Sequence, residues 1–466
     1  MKYHGLCAVA ASALFLSVSA ADFGSFLEKR AGIWSSGAAD LVRDYPGKFR
    51  WLDQSKKQAR AIRTKTDPLT LYGDPLQEVI VTLDGKKQLG SVVLSIYNRG
   101  DAGEWDRDRF EEKLDLVRDK LSGFAGGKKP ENQSAALGNG AKLFANIWRT
   151  PELDLVLRWS STNRKEPEYI TLELLPPGEA PKNLRASLKS TAGAGNLSEQ
   201  VKQDAAGSRY LEIPMVDQGG KGYCVAATVE RILRYYGSDI DQHVIAQLAA
   251  SDANAGTSFE AMVDALEAAD SRLGVRFKRH YEYKSLLSYR GVERLCKEYN
   301  SAAQKLKKER LKFNDFVVTR RKTKTFQLGQ FLSALDPEVY SAVRMRDKSN
   351  YEEFVKLVRE SIDDGVPLCW GILAVAGQKG GSDANFSAHM RIINGYNPQS
   401  GDIIYTDSWG FGHEKKQMTA EEAWSINQHA LQPRSPHPAR PGTVGFAFCH
   451  HFARFLSLKV PSLAII

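Results

Sequence analysis

Cys224 stands at the head of a helix-like stretch, and Gln218 lies six residues before it, in Pro214-Met-Val-Asp-Gln-Gly-Gly-Lys-Gly-Tyr-Cys-Val-Ala-Ala-Thr228. Far downstream come Ala388-His389-Met-Arg-Ile-Ile-Asn-Gly-Tyr396 and then Tyr405-Thr-Asp-Ser-Trp-Gly410. These three segments hold the parts of a thiol-based acyl transfer. A thiol attacks as its thiolate, and free cysteine has a pKa of about 8.5. A helix N-terminus and an imidazolium partner both pull that value down. His389 is the expected partner, holding the thiolate and then passing its proton to the leaving amine. Asp407 would accept from the other ring nitrogen and fix the tautomer. Gln218 would offer its side-chain amide to the oxyanion beside the Cys224 backbone N–H, a contact worth roughly 3–4 kcal/mol.

Singly, each residue has a plainer role. A cysteine at a helix start packs, a histidine before a strand is structural, and an aspartate after a strand forms a turn. The joint order and spacing carry the signal, and they resemble the papain-like cysteine peptidases. There too a glutamine precedes the nucleophile by six with glycines between, a histidine precedes Gly-Tyr, and an Asn-Ser-Trp-Gly follows. Here Asp407-Ser-Trp-Gly410 replaces the asparagine with aspartate. Within that superfamily, Arg234-Tyr-Tyr-Gly237 and Ile245-Ala-Gln-Leu-Ala249 look closest to the bacterial double-glycine leader peptidases and their transporter-free relatives. The resemblance covers roughly 210–425. It implies Cys224 as nucleophile, His389 as general acid/base, Asp407 as its orienting residue, Gln218 as oxyanion donor, and no cofactor. Tyr223-Cys-Val-Ala departs from the Cys-Gly-Pro and Cys-Trp continuations common in these families.

The elements that must position these residues are legible in outline. Cys224 to Tyr236 reads as a helix with Val225, Val229, Ile232 and Tyr236 on one face and Gly237 as its stop. Asp241–Ala250 and Ser258–Ala268 read as helices capped by Asp241 and Ser258. Tyr351–Ile362 reads as another helix, and Pro367–Val375, His389–Tyr396 and Asp402–Thr406 as strands. The expected plan is α+β, a helical layer against an antiparallel sheet with the cleft between layers.

Upstream lies a smaller α+β domain. Glu78–Leu83 and Leu89–Tyr97 flank Asp84-Gly85 as a hairpin. Trp105–Leu121 has Phe110, Leu114, Val117 and Leu121 at helical spacing, and strands follow at 141–148, 153–159 and 169–175. The division read from the sequence is 1–20 signal peptide, 21–180 accessory domain, 181–208 linker, and 209–466 peptidase-like domain with a basic insertion at about 278–330. The signal reading rests on Lys2, the apolar run Gly5–Val18 and the small residues of Val18-Ser-Ala20. It places the chain as secreted or periplasmic, with no transmembrane segment expected.

The formal charge of +9 is concentrated. Between Arg276 and Lys324 stand sixteen Lys and Arg against five acids, so the remainder of the chain is slightly acidic. Within this stretch Val292–Phe313 reads as a strongly basic helix: a solvated face, or a surface for an anionic envelope polymer, lipid headgroups or an acidic substrate. No nucleic-acid-binding motif accompanies it. With Cys224 as a free nucleophile, Cys296, Cys369 and Cys449 allow at most one disulfide. Cys449-His450-His451 has no second ligand cluster at metal-binding spacing, so no metal is expected.

The sequence therefore points to a secreted thiol hydrolase acting on a peptide or protein substrate. Two alternatives share its residues: an acyl transferase or cell-wall peptide hydrolase, and a catalytically inactive papain-like binding module.

Overall fold

The structure, a computed structural model, describes residues 21–434 except 65, 139, 163–166, 190–196, 221, 250–260, 265, 267–272, 321–322 and 383–384. The signal-like segment, most of the Ser258–Ala268 helix and Cys449-His450-His451 lie outside the described residues.

Two eight-stranded sheets, antiparallel throughout, organise the chain. The first contains β1 (Arg50–Trp51), β2 (Gln58–Ile62), β3 (Glu78–Leu83), β4 (Leu89–Asn98), β5 (Glu131–Gly138), β6 (Ala141–Arg149), β7 (Asp154–Ser161) and β8 (Pro167–Leu175), in the order β1-β2-β3-β4-β8-β7-β6-β5. Between β4 and β5 runs helix α1 (Arg107–Phe124), capped by the Asp106 carboxylate on the Arg109 N–H. Strand alternation splits the sheet's side chains by face. Leu155, Leu157, Ile170, Leu172 and Leu174 pack with Phe110, Leu114, Val117 and Leu121 of α1. Leu143, Ala145, Ile147, Val156 and Tyr169 point the other way.

That second face meets the other half of the chain. Helices α2 (Cys224–Tyr235) and α3 (Gln242–Leu248) pack against it, and the two halves share one hydrophobic core. The second sheet is made of β9 (Lys202–Gln203), β10 (Arg209–Tyr210), β11 (Arg276–Glu282), β12 (Leu368–Ala374), β13 (Ser387–Tyr396), β14 (Ile403–Thr406), β15 (Lys416–Met418) and β16 (Asn427–Arg434). Its main path is β9-β10-β13-β12-β16-β11, with β14 pairing to β13 and β15. Met390, Ile392, Cys369 and Leu431 face α2, while Trp370, Ile372 and Ile393 face the helices Lys348–Asp363 and Ala420–Ile426. The layers thus run helix, sheet, helix pair, sheet, helices.

This arrangement bears directly on α2. Its spacing predicts one apolar face, but every residue from Cys224 to Leu233 is buried, Thr228, Glu230 and Arg231 included, because a sheet lies on either side. Downstream strands and the long helix fall within a few residues of the expected bounds. The basic helix is shorter than expected. It spans Tyr289–Leu306 and ends where Lys307 adopts the left-handed conformation at φ 57°. Arg276–Glu282, which overlaps the start of the stretch read as insertion, is the sheet's edge strand on β16. The segment read as a linker is anchored at its start: Leu184 and Leu188 are buried in the shared core, and Ser238 Oγ donates to the Leu188 carbonyl at 2.7 Å.

Gly395 has a packing reason. A bulge in the β13–β14 pairing follows Ile393, and a side chain at 395 would stand 2.6 Å from the Arg209 carbonyl of β10. Among the described residues no helix is long and apolar enough to cross a membrane, and no group of three His, Cys, Asp or Glu is placed to hold a metal ion. Cys224, Cys296 and Cys369 are free thiols.

Candidate active site

Cys224 is the first residue of α2 and is almost fully buried. The helix is tied to β13 at this point. Thr228 Oγ1 donates to the Met390 carbonyl at 3.1 Å, and Cys224 and Met390 belong to the same packed core. Burial raises the thiol pKa, and the backbone N–H groups of Met390, Val225 and Cys224 offset only part of that rise.

His389 precedes Met390 on the same strand. Its ring stacks on Trp409, centroids 5.6 Å apart and 22° between planes. The pairing of β13 with β14 ends at Ile392↔Thr406, and His389 and Trp409 each lie three residues beyond it, which brings them level. His389 Nε2 is enclosed, with no hydrogen-bond partner among the described residues. Desolvation, reinforced by the positive charge of Arg391, pushes this histidine down to about 3, with Asp407 pulling the other way. The surroundings therefore favour a neutral thiol and a neutral imidazole.

Asp407 directly follows β14. Its carboxylate meets His413 Nδ1 at 2.6 Å, with Arg391 Nε at 3.8 Å and Lys416 Nζ at 3.9 Å from the other oxygen. The loop that carries it closes on itself: the Asp407 N–H donates to the His413 carbonyl at 3.2 Å, as does Thr406 Oγ1 at 2.8 Å. Among the described residues no hydrogen bond joins Cys224 to His389 or His389 to Asp407. Gln218 is clamped to the same loop. Its backbone N–H donates to the Ser408 carbonyl at 3.0 Å, and Ser408 Oγ donates to its Oε1 at 2.6 Å. This bond fixes the orientation of the Gln218 side-chain amide.

Arg231, two turns along α2, ties these segments together. It donates to the Pro214 carbonyl at 2.9 Å, the Asp407 carbonyl at 2.7 Å and Thr406 Oγ1 at 2.6 Å. Full burial among neutral oxygens lowers it to about 10. The sequence reading missed Arg231, Ser408, Trp409 and His413 as site residues. Ser408 and Trp409 lie inside the quoted Asp-Ser-Trp-Gly. Arg231 and His413 carry no spacing signal.

The first sheet grips the residues beside the site. Arg60 on β2 forms an ion pair with Asp217, next to Gln218, at 3.0 Å. Tyr223, next to Cys224, donates its hydroxyl to Glu168 at 3.0 Å. Glu168 is the extra residue of a bulge in the β7–β8 pairing, and Arg99 holds its other oxygen at 2.9 Å. The Gln54 N–H donates to Glu414, next to His413, at 2.7 Å.

Gln218 and Asp407 thus meet at one loop, and Cys224 heads the helix packed on Met390, the residue after His389. Asp407 is bonded to a histidine other than the expected one. No protein-family model matches this chain, and no curated protein matches it.

Proposed function

We propose that the chain is a thiol hydrolase of papain-like architecture that cleaves peptide bonds at Cys224. The observation that carries this reading is a pair of ties: Ser408 clamps Gln218 to the Asp407 loop, and Thr228 bonds the helix headed by Cys224 to Met390, beside His389. From a neutral pair, the thiol proton passes to His389 Nε2 as Sγ attacks the carbonyl carbon of the substrate. The oxyanion is met by the Gln218 NH2 and the Cys224 N–H. His389 returns the proton to the departing amine, leaving a thioester. Water, deprotonated by His389, then releases the acid and restores the thiol. The exposed rings of Trp409 (47%) and Phe411 (56%) stand beside this centre as apolar contacts for a substrate side chain.

The test is covalent capture by a peptidyl vinyl sulfone together with turnover of a peptide library. Cys224→Ala should lose both while keeping its fold by circular dichroism, and unchanged turnover in that variant would sink the proposal. A second reading, a catalytically inactive module of the same fold, is favoured by the orphaned His389 Nε2 and by the His413–Asp407 bond. It expects no capture at Cys224 at any pH at which the protein stays folded. An acyl-transfer or cell-wall reaction would instead appear as amine-dependent product or as muropeptides released from peptidoglycan.

A further inference from the structure

We propose that the basic insertion docks on an anionic lipid surface, through a ridge built from helix Tyr289–Leu306 and the segment Lys307–Phe313. The helix is 18 residues long, about 27 Å. Val292, Leu295, Cys296, Tyr299 and Ala303 pack inward against Phe331, Leu332, Val339 and Tyr340. Arg290, Arg294, Lys297 and Lys305 recur at helical spacing on the outer face and are exposed.

After the left-handed turn at Lys307 the chain runs back along the helix. Leu311 and Asn300 exchange two hydrogen bonds of 2.8 Å, and the Phe313 ring meets Tyr289 at 5.2 Å. This return lays Lys307, Arg310 and Lys312 beside the helical row. Lys297 is neutralised by Glu293 at 3.0 Å and Lys308 by Asp336 at 3.2 Å. Arg290, Arg294, Lys305, Lys307, Arg310 and Lys312 form no ion pair among the described residues. Glu298 and Glu309 lie on the same ridge, so these six cations leave it a clear net positive excess rather than balanced mixed charges.

A second observation selects a bilayer over a soluble polyanion. Leu287 (46%), Tyr289 (45%) and Val318 (38%) are three of the eight large apolar residues exposed in the described chain. Leu287 and Tyr289 flank the helix start, and Val318 lies on the hairpin Val317–Arg320/Thr323–Phe326, whose Phe326 ring contacts Tyr289. Charge alone suffices for a soluble polymer, whereas a lipid interface takes both cations and shallow apolar side chains. The insertion packs on Leu373 and Val375, at the end of β12 where Ile372 pairs with His389, so docking would bring the candidate site close to the lipid surface.

The experiment is sedimentation of the chain from Ala21 onward, where the described fold begins, with vesicles of phosphatidylcholine alone or mixed with phosphatidylglycerol. Binding is expected only to the anionic vesicles and should weaken at high salt. Arg290→Glu with Arg294→Glu and Lys305→Glu should cut partitioning about ten-fold or more. Leu287→Ser with Tyr289→Ser should weaken it further while leaving heparin binding unchanged. Equal binding to neutral vesicles, or no effect of the charge reversals in a variant of unchanged Tm, overturns the proposal. So does tight heparin binding with no dependence of vesicle binding on Leu287 and Tyr289, which would point to a polyanion instead.

Discussion

The carboxylate of Asp407 is bonded to His413 at 2.6 Å, not to His389 one strand away. The residue that the sequence marks as orienting one imidazole is held by another. If His389 is the working acid/base, Asp407 must be shared or released during turnover. His413→Ala should then keep kcat/KM within about ten-fold of the parent, while His389→Ala should lose about a hundred-fold or more. The reverse order, with His413→Ala the inactive variant, would assign the role to His413.

Cys224 should be a slow thiol in the resting protein. Burial raises its pKa, so alkylation by iodoacetamide should climb only above the free-thiol range of about 8.5. Tyr223→Phe removes the hydroxyl that reaches Glu168 and keeps the ring. That change should loosen the sheet's hold at the head of α2 and speed labelling by several-fold at neutral pH. Rapid labelling of the parent below pH 7 would contradict the neutral resting state.

Each of the three guanidinium nitrogens of Arg231 donates to a buried acceptor, two backbone carbonyls and a hydroxyl. Arg231→Met leaves the buried Pro214 and Asp407 carbonyls without this donor, at about 1–3 kcal/mol for each, while Thr406 Oγ1 keeps its bond to the His413 carbonyl. The expected loss is about 3 kcal/mol or more in urea unfolding, and activity should fall with it. A loss under about 0.5 kcal/mol, in the range of an ordinary surface change, would show that the three segments are held by other means.

Acid should weaken the fold through its enclosed histidines. His389 and His429 are both pushed down to about 3 by burial, so between the ordinary histidine pKa of 6.5 and about 3 the unfolded chain binds protons that the folded chain refuses. Their contribution is present in full above 6.5 and is lost as pH falls through that window. Glu230, raised to about 7 by burial, acts in the opposite sense between 4.5 and 7, because there the folded state holds the extra proton. The urea midpoint should therefore fall most steeply below pH 4.5, and His389→Gln should flatten that limb. An unchanged slope in the variant would mean that His389 is protonated in the folded state.

Local signals made the α+β class and most long elements legible. Alternation marked Leu89–Tyr97 and Tyr169–Leu175, the glycine stop ended α2 as expected, and Asp241 caps α3 on the His243 N–H at 2.8 Å. What stayed hidden depends on contacts distant in sequence. Glu230 and Arg231 read as the wet side of an amphipathic helix, and only the first sheet's arrival on that side buries them. In the sequence Gly395 is half of a Gly-Tyr pair; its need for a missing side chain comes from Arg209, far away in the chain. Asp407 was found by its neighbours Ser408, Trp409 and Gly410; its bond to His413 depends on the loop's closure, which no spacing announces.

The placing of α2 between two sheets has a practical corollary for anyone wishing to work with a smaller piece of this molecule. Leu143, Ile147, Val156 and Tyr169 belong to one half of the sequence, yet they complete the same core as Val225, Val229 and Ile232. A fragment starting after residue 208 would carry an uncovered greasy flank directly beside its cysteine. Its expected fate on expression is inclusion bodies, so the halves should be produced, transplanted and engineered together.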